Sequence, residues 1–395
     1  MRGASSSMEY ASVANTILCV DLGSTDFKCA IIVVANGSYP SIKKVIRLRV
    51  NLASWPVEEA TERLEESITR ICEIMRQVAS EASPQVASLT GVREGLALIH
   101  PDGSLIRAVS NAEAILWQTR FGNNWIVAVA EAERASEWLA ASLQGWLAFT
   151  LTGTLSITEC ETRSWLVDME TGSEEASTAL GVSLPPVVPI GATIGRSSMV
   201  GDVPVLIAGT DECASHYGVG LGHGTGTELG TGTYWSLSRA VPTSGYTPGK
   251  RVRIVPAMSP YPAIASFVGY HWGEYILEIL EHRQPIVKEN LPIWGASKFI
   301  SGLREGRVTT REQAIAFICE DLLEACQMLP EPPDGSKSEL VVHGGGLAQN
   351  NVAREVAGTL GWRPYYMIDD PTLVGSALVA VRGRHTNFTS VLGTS

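Results

Sequence analysis

Four short segments of this chain combine acidic, hydroxyl-bearing and glycine residues in patterns suited to a phosphorylated ligand. The first is Asp21-Leu-Gly-Ser-Thr25, with Lys28 three residues on. Gly23 lets backbone N–H groups approach phosphate oxygens, and Ser24 and Thr25 add hydroxyl donors. Asp21 can hold Mg2+ through water, and Lys28 can offset phosphate charge. A plain Gly-Ser-Thr hairpin turn would have the same composition. The second segment, Gly209-Thr-Asp-Glu212, places Asp211 where a strand gives way to a helix. A helix N-terminus favours its anionic form, although a simple N-cap would look alike. The third, Glu228-Leu-Gly-Thr-Gly-Thr-Tyr-Trp235, offers Gly230, Thr231, Gly232 and Thr233 to phosphate. The fourth runs from His343 through Gly344, Gly345 and Gly346 to Asn350. Three glycines after a strand let a flat ring lie against backbone, or make an ordinary strand-to-helix turn.

The elements around these segments follow from periodicity. Ile17–Asp21, Lys28–Ala35 and Lys43–Val50 read as a three-strand meander. Val57, Ala60, Leu64, Ile68, Ile71, Met75 and Val78 recur at helical steps, so a helix is expected over Val57–Ala79. Strands are expected at Val86–Leu89, Gly95–Ile99 and Leu105–Val109, with a turn at Pro101-Asp-Gly103, and one helix over Ala128–Leu151. After the Pro- and Gly-rich stretch Leu184–Asp202 come a strand at Val203–Ala208, a helix at Asp211–Val219 and a strand pair at Leu229–Leu237. Helices over Arg311–Met328, Gln349–Leu360 and Pro371–Val381 and a strand at Leu340–His343 complete the pattern. Asp21-Leu-Gly-Ser is echoed by Glu228-Leu-Gly-Thr about half the chain later, which suits two related domains facing each other.

With 395 residues the chain is too long for one ordinary domain and about right for two. The expected division is a disordered tail over 1–15, an N-terminal domain over 16–200 and a C-terminal domain over 201–395. The net charge of −11 argues against duplex DNA as a partner. The densest basic run, Lys43, Lys44, Arg47 and Arg49, reads as one solvated strand face. Seven cysteines with no CxxC spacing argue against a zinc site or disulfide framework. No apolar run approaches the roughly 20 residues needed to span a bilayer. The expectation is a cytoplasmic protein with reduced thiols.

In this order and spacing, the four segments resemble the FGGY carbohydrate kinases of the actin and hexokinase superfamily, over Ile17 to about Gly383. The resemblance implies an α/β fold of two actin-like, ribonuclease H-like domains with a central ATP/sugar cleft. By that similarity Asp21–Lys28 is the first phosphate motif and Leu229–Thr233 the second, Gly344–Gly346 is the adenosine motif, and Asp211 is the catalytic base. Asp21 and Asp211 would face the metal. The Arg-Glu pair of the substrate segment Gly91-Val-Arg-Glu-Gly95 resembles that of glycerol kinases and, with the following Gly, that of autoinducer-2 kinases; Asn111-Ala-Glu113 and Gly230-Thr-Gly-Thr-Tyr-Trp235 resemble the autoinducer-2 kinases. Arg93 can donate to substrate oxygens and Glu94 can accept from hydroxyls, unless the two form a surface ion pair. Asn111, Glu113 and Glu212 join them as substrate-side candidates. Trp117, Trp235 and Trp272 either wall the sugar or belong to cores. The chain departs from the family at Glu113, where Asp is usual, and in Gly-Thr-Asp-Glu where Gly-Gly-Asp-Gln is usual. Glu278–Arg311 also looks condensed, and Pro371-Thr-Leu-Val-Gly375 matches the usual adenine-side helix start only loosely.

The resemblance implies ATP and Mg2+ as cofactors and γ-phosphoryl transfer to a hydroxyl of a small sugar, polyol or autoinducer-2-like molecule. The expected partner is that small molecule, with no nucleic acid and no membrane; a homodimer stays open. Two alternatives share the fold: an ATP-binding regulator without kinase turnover, and an actin-like assembly protein or activator ATPase.

Overall fold

The structure is a computed structural model. It describes residues 15–35, 39–93, 95–121, 124–161, 184–221, 226–232, 234–241, 246, 252–256, 263–269, 271–287, 297–331, 339–344, 347–366 and 370–382. The tail expected over 1–15 lies outside these residues except for Asn15, which begins a strand.

The first half is built on β1 (Asn15–Leu22), β2 (Asp26–Val34), β3 (Ser41–Arg49), α1 (Ala60–Ala82) and β4 (Val86–Gly91). A smaller layer follows: β5 (Leu96–Ile99), β6 (Leu105–Val109), α2 (Asn111–Phe121), α3 (Trp125–Ala132), β7 (Leu139–Ser142) and α4 (Leu143–Thr152). After β8 (Ile157–Thr158) and β9 (Val187–Val188), the chain returns through β10 (Thr193–Ser197) and β11 (Val203–Thr210). The six-stranded sheet runs β10-β11-β4-β1-β2-β3, with β11, β4 and β1 parallel.

The second half repeats the plan with α5 (Asp211–Gly218), β12 (Thr227–Thr231), β13 (Trp235–Val241), β14 (Val252–Pro256), β15 (Ala263–Gly269) and α6 (Trp272–Leu280). It continues with α7 (Lys298–Arg304), α8 (Arg311–Met328), β16 (Glu339–His343), α9 (Leu347–Thr359), β17 (Arg363–Tyr366) and α10 (Pro371–Arg382). Its sheet runs β14-β15-β13-β12-β16-β17, with β12, β16 and β17 parallel. In each half an antiparallel hairpin leads and parallel strands are added beside its first strand, as the internal echo implied.

Strand alternation sorts the side chains between layers. In β1, Leu18, Val20 and Leu22 face a core with α1 and α4, while Ile17 and Cys19 face one shared with α5 and α10. Ala240 of β13 and Ile264 of β15 join that second core, so α5 and α10 lie between the sheets. Beyond the second sheet, Leu229, Leu237 and Phe267 pack against α6, α7, α8 and α9. Each fully buried Leu, Ile or Phe contributes about 1.5–3 kcal/mol. The seven cysteines are free, and six of them are buried.

Two expectations need correction. The expected boundary at residue 200 falls inside the first sheet, because β11 pairs with β4 and the chain leaves that sheet only at Thr210. The Pro- and Gly-rich stretch is a connection to the edge of the sheet. The single helix expected over Ala128–Leu151 is two helices separated by β7, which pairs with β5. Ser142 ends β7 and caps α4 by accepting from the Gly145 N–H at 3.0 Å. A helical run of apolar residues cannot reveal that break; a serine at an N-cap can. Among the described residues, no helix is long and apolar enough to cross a membrane.

Candidate active site

The parallel strands β1, β4 and β11 end side by side: Leu22 is opposite Gly91, and Gly91 opposite Thr210. In open α/β sheets ligands bind outside such carboxyl ends. Asp21, Arg93 and Asp211 all emerge at this edge. In the second sheet β12 and β16 end together, with Gly230 opposite His343. Gly232 and Gly344 follow them.

Asp21 lies on the same face of β1 as Ile17 and Cys19, which turns it inward between the sheets. It is 2% exposed. Lys28, its register partner on β2, reaches across so that Nζ is 2.9 Å from Asp21 Oδ2 and 2.7 Å from Asp370 Oδ2. Asp370 stands at the start of α10, where the Leu373 N–H donates to its Oδ1 at 3.4 Å. Burial raises the Asp21 pKa; Lys28 opposes that shift and Asp370 adds to it. Burial opposes charge on Lys28, but the two carboxylates prevail and hold its pKa above the usual value. Asp21 Oδ1 is buried with no hydrogen-bond partner. That orphaned oxygen fits a bound hydrated cation. Mg2+ usually takes one or two carboxylates plus substrate phosphates, so a single inward Asp suffices. The turn at Gly23, Ser24 and Thr25 is braced by the chain after β3. Val50 and Asn51 N–H groups donate to the Thr25 carbonyl, and Leu52 N–H donates to that of Ser24.

Asp211 is the first residue of α5. The N-cap is Thr210, whose hydroxyl accepts from the Cys213 N–H at 3.4 Å. Asp211 is therefore not the N-cap, the alternative its sequence position left open. Its Oδ1 accepts from the Glu212 N–H at 2.8 Å. Gly209 adopts φ +82 just before it, a left-handed conformation that suits glycine. Arg93 does reach this site: Nη1 lies 3.2 Å from Glu212 Oε2, both side chains being mostly buried. Its expected neighbour Glu94 lies outside the described residues.

In the second half, the Thr231 hydroxyl lies 2.9 Å from the His343 carbonyl oxygen and 3.1 Å from Asn350 Oδ1. A Cβ at Gly344 would stand 3.5 Å from the Gly232 nitrogen. The third and fourth segments, both in the second half, thus form one surface. Thr233, Gly345 and Gly346 lie outside the described residues. Asn111 begins α2, and its side chain is likewise not described. Glu113 is held by Arg107 at 2.5 Å and accepts from Trp117 Nε1 at 3.1 Å. Trp235 and Trp272 are core residues of the second half, 1% and 0% exposed.

Three functional candidates went unassigned in the sequence: His216, Glu228 and His343. Glu228 Oε2 lies 2.5 Å from His216 Nδ1, and its Oε1 lies 2.5 Å from His343 Nε2. Burial alone would raise the Glu228 pKa, but the two imidazoles reverse this and set it at about 2. Burial alone would lower that of His216; Glu228 and Glu212 override it and raise it to about 10. The available signal was the internal echo, which puts Glu228 at the place Asp21 occupies in the first half.

No protein-family model matches the chain, and no curated protein matches it by sequence. Solved structures do match by shape. A ligand-bound xylulose kinase from Lactobacillus acidophilus superposes with a TM-score of 0.67 at 14% identity, covering 94% of this chain and 90% of that one. A gluconate kinase from Lactobacillus acidophilus gives 0.67 at 12% identity, covering 95% and 90%. A glycerol kinase from Plasmodium falciparum, solved with ADP, gives 0.62 at 12% identity, covering 96% and 92%. Across nearly its whole length, the chain has the two-domain α/β fold of these carbohydrate kinases.

Proposed function

We propose that this protein is an ATP-dependent carbohydrate or polyol kinase that transfers the γ-phosphoryl group to a hydroxyl of a small sugar or sugar-like molecule. The observation that carries the reading is the convergence of Asp21, Arg93 and Asp211 at the ends of three adjacent parallel strands. The paired loops Thr231–Gly232 and His343–Gly344 end the second sheet in the same way.

Phosphoryl transfer needs positioning and charge stabilisation more than covalent chemistry. Asp211, at the positive end of α5, accepts the proton of the attacking hydroxyl; general base catalysis is typically worth about 10²–10⁴ in rate. Arg93 donates to acceptor oxygens and is held in place by Glu212. Lys28 turns from Asp370 toward phosphate oxygens when nucleotide binds. Ser24 and Thr25 donate hydroxyl protons, while the Thr231 hydroxyl, bonded to the His343 carbonyl or Asn350 Oδ1, ties the second phosphate loop to the loop at Gly344, and Gly230 and Gly232 keep the second loop close to the phosphates. Gly344 and Asn350 border the adenosine. Asp21 would hold Mg2+, which when bound neutralises phosphate charge.

Three neighbours act on xylulose, gluconate and glycerol, as their names state. The test is acceptor-stimulated ADP release with Mg-ATP and a panel of pentuloses, gluconate, glycerol and the linear autoinducer-2 precursor. One compound should stimulate release, and Asp211→Ala should lower kcat by about 10²–10⁴ with an unchanged melting temperature. Nucleotide binding without stimulated release by any acceptor would favour the regulator. Lys28 clamped between two carboxylates, and Arg93 neutralised by Glu212, are the features that would suit it.

A further inference from the structure

Glu228 occupies an unusual position. It is 1% exposed, near the start of β12, and each of its carboxylate oxygens is taken by a different imidazole. His216 comes from α5, the helix that starts at Asp211. His343 ends β16 and immediately precedes Gly344. On the other side of His216, Nε2 lies 3.7 Å from Glu212 Oε1, an ion-pair distance, one helical turn away. Glu212 in turn holds Arg93. The resulting order is Arg93, Glu212, His216, Glu228, His343. It starts in the loop after β4 of the first sheet and ends beside the glycine loop of the second.

Charges are a costly way to fill such a space. Apolar side chains of similar volume would often be as stable or more so, because burying ions carries a desolvation penalty. What the ions add is geometry. A carboxylate bonded through both oxygens fixes two imidazoles relative to each other, and through them fixes α5 relative to β12 and β16. We infer that Glu228 is a positioning residue which, through His216 and His343, couples the nucleotide loops to the start of α5 and the acceptor-side Arg93. This rests on the kinase reading for what the two ends hold. It assigns the residues a role that reading does not use. In-line transfer tolerates little misplacement: an error of about 1 Å can cost roughly 10² in rate.

The test compares His343→Gln with His343→Leu, together with Glu228→Gln. In His343→Gln the side-chain amide nitrogen can take the place of imidazole Nε2 as donor to Glu228; the leucine of His343→Leu cannot. Hydrogen–deuterium exchange over residues 211–218 is measured with and without a non-hydrolysable Mg-ATP analogue. Calorimetry on the same samples shows whether the analogue binds. The analogue should protect α5 in the wild type and in His343→Gln, and protect it at least threefold less in His343→Leu and Glu228→Gln at saturation. In turnover, His343→Leu should lose tenfold or more in kcat and also raise the acceptor KM, with His343→Gln within about threefold of wild type. In a Glu228→Gln background, His343→Leu should add little, since the link is already cut. If the analogue binds and protects α5 equally in all four proteins, the inference is overturned while the kinase reading stands. If the wild type binds no nucleotide, the kinase reading fails and the coupling falls with it.

Discussion

Single residues carry two different uses of buried charge in this molecule. Asp21 is paired with a lysine on one side and leaves an oxygen unsatisfied on the other, the arrangement of a group kept for a ligand. Glu228 spends both oxygens inside the protein, the arrangement of a strut. The His216–Glu228 pair predicts a pH dependence. His216 is raised from 6.5 to about 10, so its contribution to stability is complete below pH 6.5 and is lost as pH rises through 10. Glu228 is lowered from 4.5 to about 2, so its contribution is complete above pH 4.5 and is lost as pH falls through 2. Both contributions are complete between pH 4.5 and 6.5. The melting-temperature advantage of the wild type over His216→Leu should therefore be largest in that window and shrink toward pH 10. A constant difference across the range would contradict a charged His216. At this scale the sequence singles out candidates that sit in short motifs: Asp21, Lys28, Asp211, Gly232 and Gly344. It concealed what long-range packing encodes. His216 and His343 are 127 positions apart and meet only because β12 and β16 pair next to α5.

Among the elements, α5 and α10 set the geometry between the two sheets. Their backbones nearly touch. A Cβ on Gly375 would fall 1.7 Å from the Ala214 carbonyl oxygen, and one on Gly218 would fall 2.0 Å from that of Pro371. Backbone atoms cannot swing aside as a side-chain end can. Gly375→Ala should therefore push the helices apart, costing at least about 1–3 kcal/mol by urea unfolding. Since α5 begins at Asp211, kcat should fall as well. Unchanged stability would show that the crossing is looser than the structure has it. Long elements were legible where their period was strong: α8 begins and ends where the apolar spacing places it, at Arg311 and Met328. Short ones were not. β7 has four residues between two apolar helices, and its strand character comes from pairing with β5 rather than from its own composition. α2 has no clear apolar stripe to announce it; its place is set by packing with α3.

At the scale of the molecule, the two halves were visible in one echo of four residues, while their dividing line was not. Proline and glycine content marked the approach to β10 and β11. The first sheet takes both strands before the chain crosses over, because parallel pairing of β11 with β4 completes its core. Helix α10 then returns to the first sheet, so the first half is not one continuous stretch of sequence. A cleft that closes on such a frame should exclude water as a competing acceptor. ATP hydrolysis in the absence of acceptor should then run at least tenfold slower than transfer; equal rates would argue against closure.

In the proposed reaction, phosphate passes from ATP to a carbon-bound hydroxyl under the control of Asp211. The most direct test is phosphorus NMR of the products formed from Mg-ATP and the stimulating acceptor, by wild type and by Asp211→Asn. A phosphomonoester of the acceptor should accumulate in step with ADP in the wild type and be nearly absent in the variant. ADP accompanied only by inorganic phosphate, or an equal yield of phosphomonoester from both proteins, would contradict it.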